Sequence, residues 1–250
     1  MTILKGGALP FAMLLAVFAF IAMIEFYRMA LPDRHMEQWP AAACGAVLIF
    51  APLCDGGRSV IGLIAALFLA FSLLFLFRIR AIAAAAREVA YAMLAFLYIP
   101  FLLMHLVMLR QTAHGVQWLL VLMLIVMTND SAAYYTGCAF GKHRLYPLVS
   151  PKKSIEGALG GLGGSIAGTL LAHFTFFPQL TLTDALVPAL LIGILGQTGD
   201  LFESLLKRSF GVKDSGTIIP GHGGVLDRLD SIIFAAPAAY YYAVYVFGRF

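Results

Sequence analysis

Residues 8–30 read ALPFAMLLAVFAFIAMIEFYRMA, with Glu25 and Arg28 the only charged side chains in the run. A helix rises about 1.5 Å per residue and a bilayer core is about 30 Å thick, so about twenty apolar residues cross it. The run is too long for the apolar region of a signal peptide and carries its charges near its end, so it reads as a retained helix. Similar runs recur near 38–54, 59–77, 88–109, 115–135, 157–177, 184–206 and 228–248, which gives eight expected spans. These stretches are continuously apolar, whereas a β-barrel needs short alternating segments. Composition agrees. Of 250 residues, 61% are hydrophobic and 12% charged, with a mean hydropathy of +0.89. A soluble domain carries about 25% charge, so these few charges cannot cover a water-facing surface. The expected fold is all-α, a polytopic membrane protein with about eight transmembrane helices.

Pro32, Pro40, Pro147, Pro151, Pro178 and Pro220 fall in or beside the connections, while Pro52, Pro100, Pro188 and Pro237 lie where they can kink a span. No linker or internal repeat divides the chain. Residues 1–110 read as N-terminal helices for packing and lipid access, and 111–250 as a catalytic region with cytosolic loops. Connections after spans one, three, five and seven collect Arg28, Arg34, Arg78, Arg80, Arg87, Lys142, Arg144, Lys152, Lys153, Lys207, Arg208, Lys213 and Arg228. The opposite side keeps Lys5, Arg58, Arg110 and Arg249, a split of 13 to 4. The positive-inside rule makes the first group cytosolic and puts both termini outside the cytosol. The expected location is the inner, cytoplasmic membrane. The net charge of +4 gives no reason to expect a nucleic-acid partner. Cys44, Cys54 and Cys138 show no paired spacing, so neither a disulfide framework nor a zinc site is indicated.

The chemistry concentrates in residues 199–230, GDLFESLLKRSFGVKDSGTIIPGHGGVLDRLD. Asp200, Glu203, Ser204 and Lys207 share one helix face at the cytosolic end of span seven. Asp227 and Asp230 occupy the first turn of span eight on the same side. The loop between them carries Gly211, Gly216, Gly221, Gly223 and Gly224, with Lys207 and Arg208 at its start and Lys213, Asp214 and His222 within it. Carboxylates from two helices suit one or two magnesium ions, lysine and arginine neutralise phosphate, and glycines let backbone N–H groups approach an anion. Four acids gathered at one membrane face are costly without a function. Asp200, Glu203, Asp227 and Asp230 are the acids available to such an ion.

A second group joins Asn129, Asp130 and Tyr134 to Lys142 and the stretch Ser150–Gly157, where Lys152 and Lys153 sit at headgroup depth and suit a phosphate. Span six follows, with Gly157, Gly160, Gly161, Gly163, Gly164 and Gly168 in overlapping small-xxx-small pairs that favour close helix packing and are compatible with a homodimer. His105 and His173 read as satisfied residues within spans, and His35, His114 and His143 as loop residues. Glu25 is ambiguous, since Arg28 stands three residues on.

The run Ser204–Arg208, followed by Lys213–Asp214 and Pro220–Asp230, resembles the signature of phosphatidate cytidylyltransferases (CDP-diacylglycerol synthases). DSAAYYTGCAFGK at Asp130–Lys142 and SPKKSIEG at Ser150–Gly157 are similar to that family in the same order. The resemblance covers about 128–230, and before it only hydropathy agrees. It implies a multi-pass, magnesium-dependent enzyme that joins CTP to phosphatidic acid among membrane lipids, with Asp200 and Asp227 as the metal-binding acids. Ser204, Lys207, Arg208, Gly223 and Gly224, with Asp130, Lys152 and Lys153, are then expected to bind substrate. Lys213, Asp214, His222, Arg228 and Asp230 are expected in catalytic or supporting roles. Members commonly begin with a further basic segment and apolar helix, which this sequence does not show before Ala8. The rival readings are a CTP-dependent lipid kinase, a nucleotidyltransferase for another anionic lipid, and a transporter. Transporters gather their charges near the midplane on broken helices, not at one face.

Overall fold

The computed structural model describes residues 6–55, 58–78, 81–218, 221 and 223–249. His222, Pro220, Arg80 and Lys5 lie outside the described residues. Two compact units result, residues 1–108 with 214–228, and residues 109–213 with 229–250. The second half of the signature loop thus groups with the N-terminal helices.

The first unit holds α1 (Ala8–Ala30), α2 (His35–Leu48), the short α3 (Ala51–Asp55), α4 (Val60–Phe77), α5 (Ile82–Tyr98) and most of α6 (Pro100–Arg110). Pro100 lacks an N–H, and the break at Ile99 falls where that missing donor separates α5 from α6. Gly45 lets α2 approach Met23 of α1 and Pro100, since a Cβ there would sit 3.3 Å from the Pro100 ring and inside the Met23 side chain. Tyr27 donates its hydroxyl to the Ala92 carbonyl at 3.3 Å, tying α1 to α5. Arg34 is almost fully buried. It donates to Glu88 Oε2 at 2.6 Å and to the Arg78 carbonyl at 2.8 Å, and pairs with Glu37 at 3.5 Å. The connections after the first and third expected spans therefore share one end of this unit.

The second unit is built on α7 (Gly115–Phe140), α8 (Ile155–Thr175), α9 (Leu182–Ser209) and the body of α10 (Leu226–Tyr245). The glycine stripe of α8 packs on α7. A Cβ at Gly164 would meet the Thr128 carbonyl and Ala132, one at Gly168 would lie 2.6 Å from Thr128 Oγ1, and one at Gly157 would lie 2.9 Å from the Ala133 carbonyl. Gly163 alone of the six faces open space. The small residues serve close helix approach, as their spacing predicts. Three polar side chains join the helices where they cross: Asn129 donates to Ser165 Oγ at 2.7 Å, and Gln197 donates to Asn129 Oδ1 at 3.0 Å.

Helix α10 runs antiparallel to α9. At one end a Cβ on Gly199 would lie 2.5 Å from the Asp230 carbonyl. At the other, Tyr242 donates to Asp184 Oδ1 at 2.8 Å, while Asp184 also closes a capping box with Thr181 at the start of α9. Trp118 packs there against Phe177, Tyr242 and Phe247.

Six helices among the described residues are long and apolar enough to cross a membrane, fewer than the eight expected. Helix α10 opens with Asp227, Arg228 and Asp230, which shortens its apolar stretch. Outside the helices stands a two-stranded antiparallel hairpin, β1 (Arg144–Tyr146) with β2 (Ser150–Ser154), which the all-α expectation did not include. Pro147 and Pro151 exclude helix there, and the Ser154 side chain then caps α8 by accepting from the Gly157 N–H at 3.1 Å.

Candidate functional site

In the second unit, α7, the hairpin, the start of α8 and the end of α9 enclose a cavity of about 600 Å³. Asp130, Arg144, Lys152, Lys153 and Asp200 supply its charged lining. This volume falls in the usual range for a small-molecule site, about 300–1,000 Å³. Lys153 Nζ is paired with Asp200 Oδ2, and both side chains remain about 30% exposed, at 31% and 30%. Glu156 holds the hairpin in place by accepting the backbone N–H of Lys142 at 3.1 Å and pairing with His143 Nδ1 at 2.6 Å.

One turn beyond Asp200, Glu203 is fully buried and its Oε2 accepts Lys207 Nζ at 2.9 Å. Ser204 is half-buried beside it, and Arg208 is exposed, donating to the Val212 carbonyl at 3.4 Å. Asp230, half-buried near the start of α10, is desolvated there, repelled by Asp200 and Asp130 and attracted by Lys207. The unit thus gathers acids from three helices, with lysines from the hairpin and α9, around one end. Their opposed charges suit a ligand that carries both phosphate and a counter-ion.

In the first unit the second half of the signature forms a compact turn around Asp227. This carboxylate is 8% exposed, and its Oδ2 accepts the Ser215 N–H at 2.9 Å, the Ser215 hydroxyl at 2.9 Å and the Gly224 N–H at 2.7 Å. Gly223 has φ +83°, and a Cβ there would lie 2.5 Å from Asp227 Oδ2, so this position requires glycine twice over. Here the glycine-loop amide approaches the protein's own carboxylate. Asp214 and Arg228 are exposed, as is Lys213 at the edge of the second unit.

A model of the cytidylyltransferase family matches residues 1–246. The chain belongs to this family. Proteins named phosphatidate cytidylyltransferase are similar to it along most of its length. That of Staphylococcus saprophyticus is 34% identical over 239 residues, covering 94% of this chain and 90% of the relative. That of Staphylococcus epidermidis is 36% identical over 246 residues with the same coverage. A third, from Staphylococcus haemolyticus, reaches 46% identity over 123 residues, about half of each chain. The match covers the N-terminal helices as well, where the sequence motifs are silent.

Magnesium, implied by the motif resemblance, takes carboxylate oxygens and usually leaves part of its shell to water and substrate phosphates. Among the described residues no group of three or more His, Cys, Asp or Glu side chains is arranged to hold a metal ion. The donor chemistry nevertheless fits a hard cation that arrives with a polyphosphate. Asp200 opens on the cavity, where its carboxylate is paired with Lys153 and keeps part of its exposure.

Sequence reasoning missed Arg144, Gln197 and Glu156. The sequence alone gives Arg144 as a topology charge and Glu156 as one residue of the Ser150–Gly157 stretch, and it does not single out Gln197. A polar side chain inside an apolar run was the available signal for Gln197.

Proposed function

We propose that this family member transfers the cytidylyl group of CTP to phosphatidic acid, forming CDP-diacylglycerol and releasing pyrophosphate. The observation that carries the reading is the lysine- and aspartate-lined cavity at one end of a helical membrane unit, in a chain of the cytidylyltransferase family. A phosphatidate oxygen attacks the α-phosphorus of CTP, a new phosphorus–oxygen bond forms, and the bond to the bridging oxygen of pyrophosphate breaks. A phosphate monoester is already anionic at neutral pH, so the attacking group needs no strong base.

Lys152, Lys153 and Arg144 hold nucleotide phosphates and lower the repulsion between two polyanions. Lys207 and Arg208, at the end of α9, take the remaining phosphate charge. In the second unit Asp200 is the proposed oxygen ligand of magnesium, which would supply charge neutralisation for the attacking and leaving oxygens when bound. The site is assigned to the cytosolic face on the 13 to 4 split of basic residues between alternate connections in the sequence. That orientation serves one water-soluble substrate and one held in the leaflet.

Purified protein given CTP and phosphatidate should yield pyrophosphate and CDP-diacylglycerol, and EDTA should stop the reaction. Appearance of CDP with a phosphorylated lipid would instead identify a lipid kinase. Solute uptake into proteoliposomes without nucleotide turnover would identify a transporter.

A further inference from the structure

Glu25, in the last third of α1, is only 1% exposed. Its neighbour three residues on, Arg28, is exposed, and the carboxylate is engaged elsewhere. Glu25 Oε1 accepts the Val225 N–H at 3.0 Å, and Oε2 accepts the Leu226 N–H at 2.8 Å and the Ser215 hydroxyl at 3.2 Å. Val225 and Leu226 open α10, whose first amides have no partner within the helix. A carboxylate there also meets the positive end of the helix dipole.

The loop is shaped around this group. A Cβ at Gly216 would lie 2.6 Å from Glu25 Oε1, and one at Gly224 would lie 2.5 Å from Oε2 and 2.6 Å from Oε1. Two glycines of the loop are therefore fixed by a side chain about 190 positions earlier. Ser215 bridges Glu25 and Asp227, 3.2 Å from one carboxylate and 2.9 Å from the other. Its single hydroxyl proton serves one of them at a time, so each acid bears on how the other is held.

We infer that Glu25 is a positioning residue: it caps α10 from the neighbouring helix and, through Ser215, sets the place of Asp227 and the amide of Gly224. Its relevance to turnover rests on the cytidylyl-transfer reading, while its grip on the loop does not. Glu25→Gln keeps the shape but replaces one acceptor oxygen by a donor and removes the charge. Glu25→Ala removes the cap, and Ser215→Ala removes only the bridge.

The test is hydrogen–deuterium exchange of the full-length protein in detergent, alongside steady-state kinetics with CTP and phosphatidate. Exchange at 224–227 should rise about tenfold or more in both Glu25 variants and less in Ser215→Ala, with exchange in Ile82–Tyr98 unchanged. The value of kcat should fall about tenfold or more while KM for CTP stays within about threefold. Unchanged exchange at 224–227, equally raised exchange in Ile82–Tyr98, or unchanged kcat despite a loosened loop would each overturn the inference. A wild-type protein without turnover would count against the functional reading alone, because the exchange arm still decides the positioning role.

Discussion

Lys153 separates a structural from a functional account of the cavity, because the two predict different magnitudes. Its ammonium pairs with Asp200 while both side chains keep about 30% of their exposure, at 31% and 30%. Pairs this open to solvent contribute about 0.2–1 kcal/mol, screened further by salt. Lys153→Met should therefore cost at most about 1 kcal/mol of stability and leave the melting temperature within a few degrees. A charge-assisted bond from Nζ to a substrate phosphate is worth about 1.5–3 kcal/mol. At about 1.4 kcal/mol per decade, its loss should lower kcat/KM for CTP about 10- to 150-fold. Lys153→Arg keeps the charge and should recover most of that loss. The assay is initial rate against CTP concentration in detergent micelles, paired with a melt of each variant. Retention by Lys153→Met of kcat/KM within about twofold of wild type would refute a phosphate-binding role. A fall matched by an equal loss of folded protein would refute it too.

Three further outcomes follow from the packing and the loop. Gly164→Val should destabilise the second unit by about 1–3 kcal/mol or more, because its Cβ meets the Thr128 carbonyl, and thermal melting reads this directly. Arg34→Met takes the buried guanidinium from Glu88 and Glu37, although Glu37 keeps Arg78 at 3.8 Å, and should cost about 3–5 kcal/mol, seen as lower yield and an earlier melt. Asp227→Asn keeps a carbonyl oxygen for the Ser215 and Gly224 donors but removes the charge, so turnover should fall by about two decades or more with the fold retained. Near-normal rates in that variant would remove Asp227 from the chemistry.

What the sequence discloses follows the range of the interactions. Helical spacing is local, so the face shared by Asp200, Glu203 and Lys207 and the packing stripe of α8 were legible from residues alone. Within the first unit Arg34, Arg78 and Glu88 meet at one end, as the alternation of basic connections expects there. Glu25 was not legible, because its partners stand about 190–201 positions along the chain and nothing in its own segment points to them. The glycine loop was half legible. Its glycines do admit close approach to an anion, but at Gly216, Gly223 and Gly224 the anions are Glu25 and Asp227. The hairpin escaped because three- and five-residue strands carry no periodicity long enough to read.

The most direct test follows the two ends of CTP separately. Purified protein is given phosphatidate and CTP labelled either at the α- or at the γ-phosphate. Label from the α-position should enter the lipid, label from the γ-position should leave as pyrophosphate, and magnesium should restore what chelation removes. Transfer of the γ-label to lipid, or intact CTP after incubation with magnesium and phosphatidate, would contradict cytidylyl transfer.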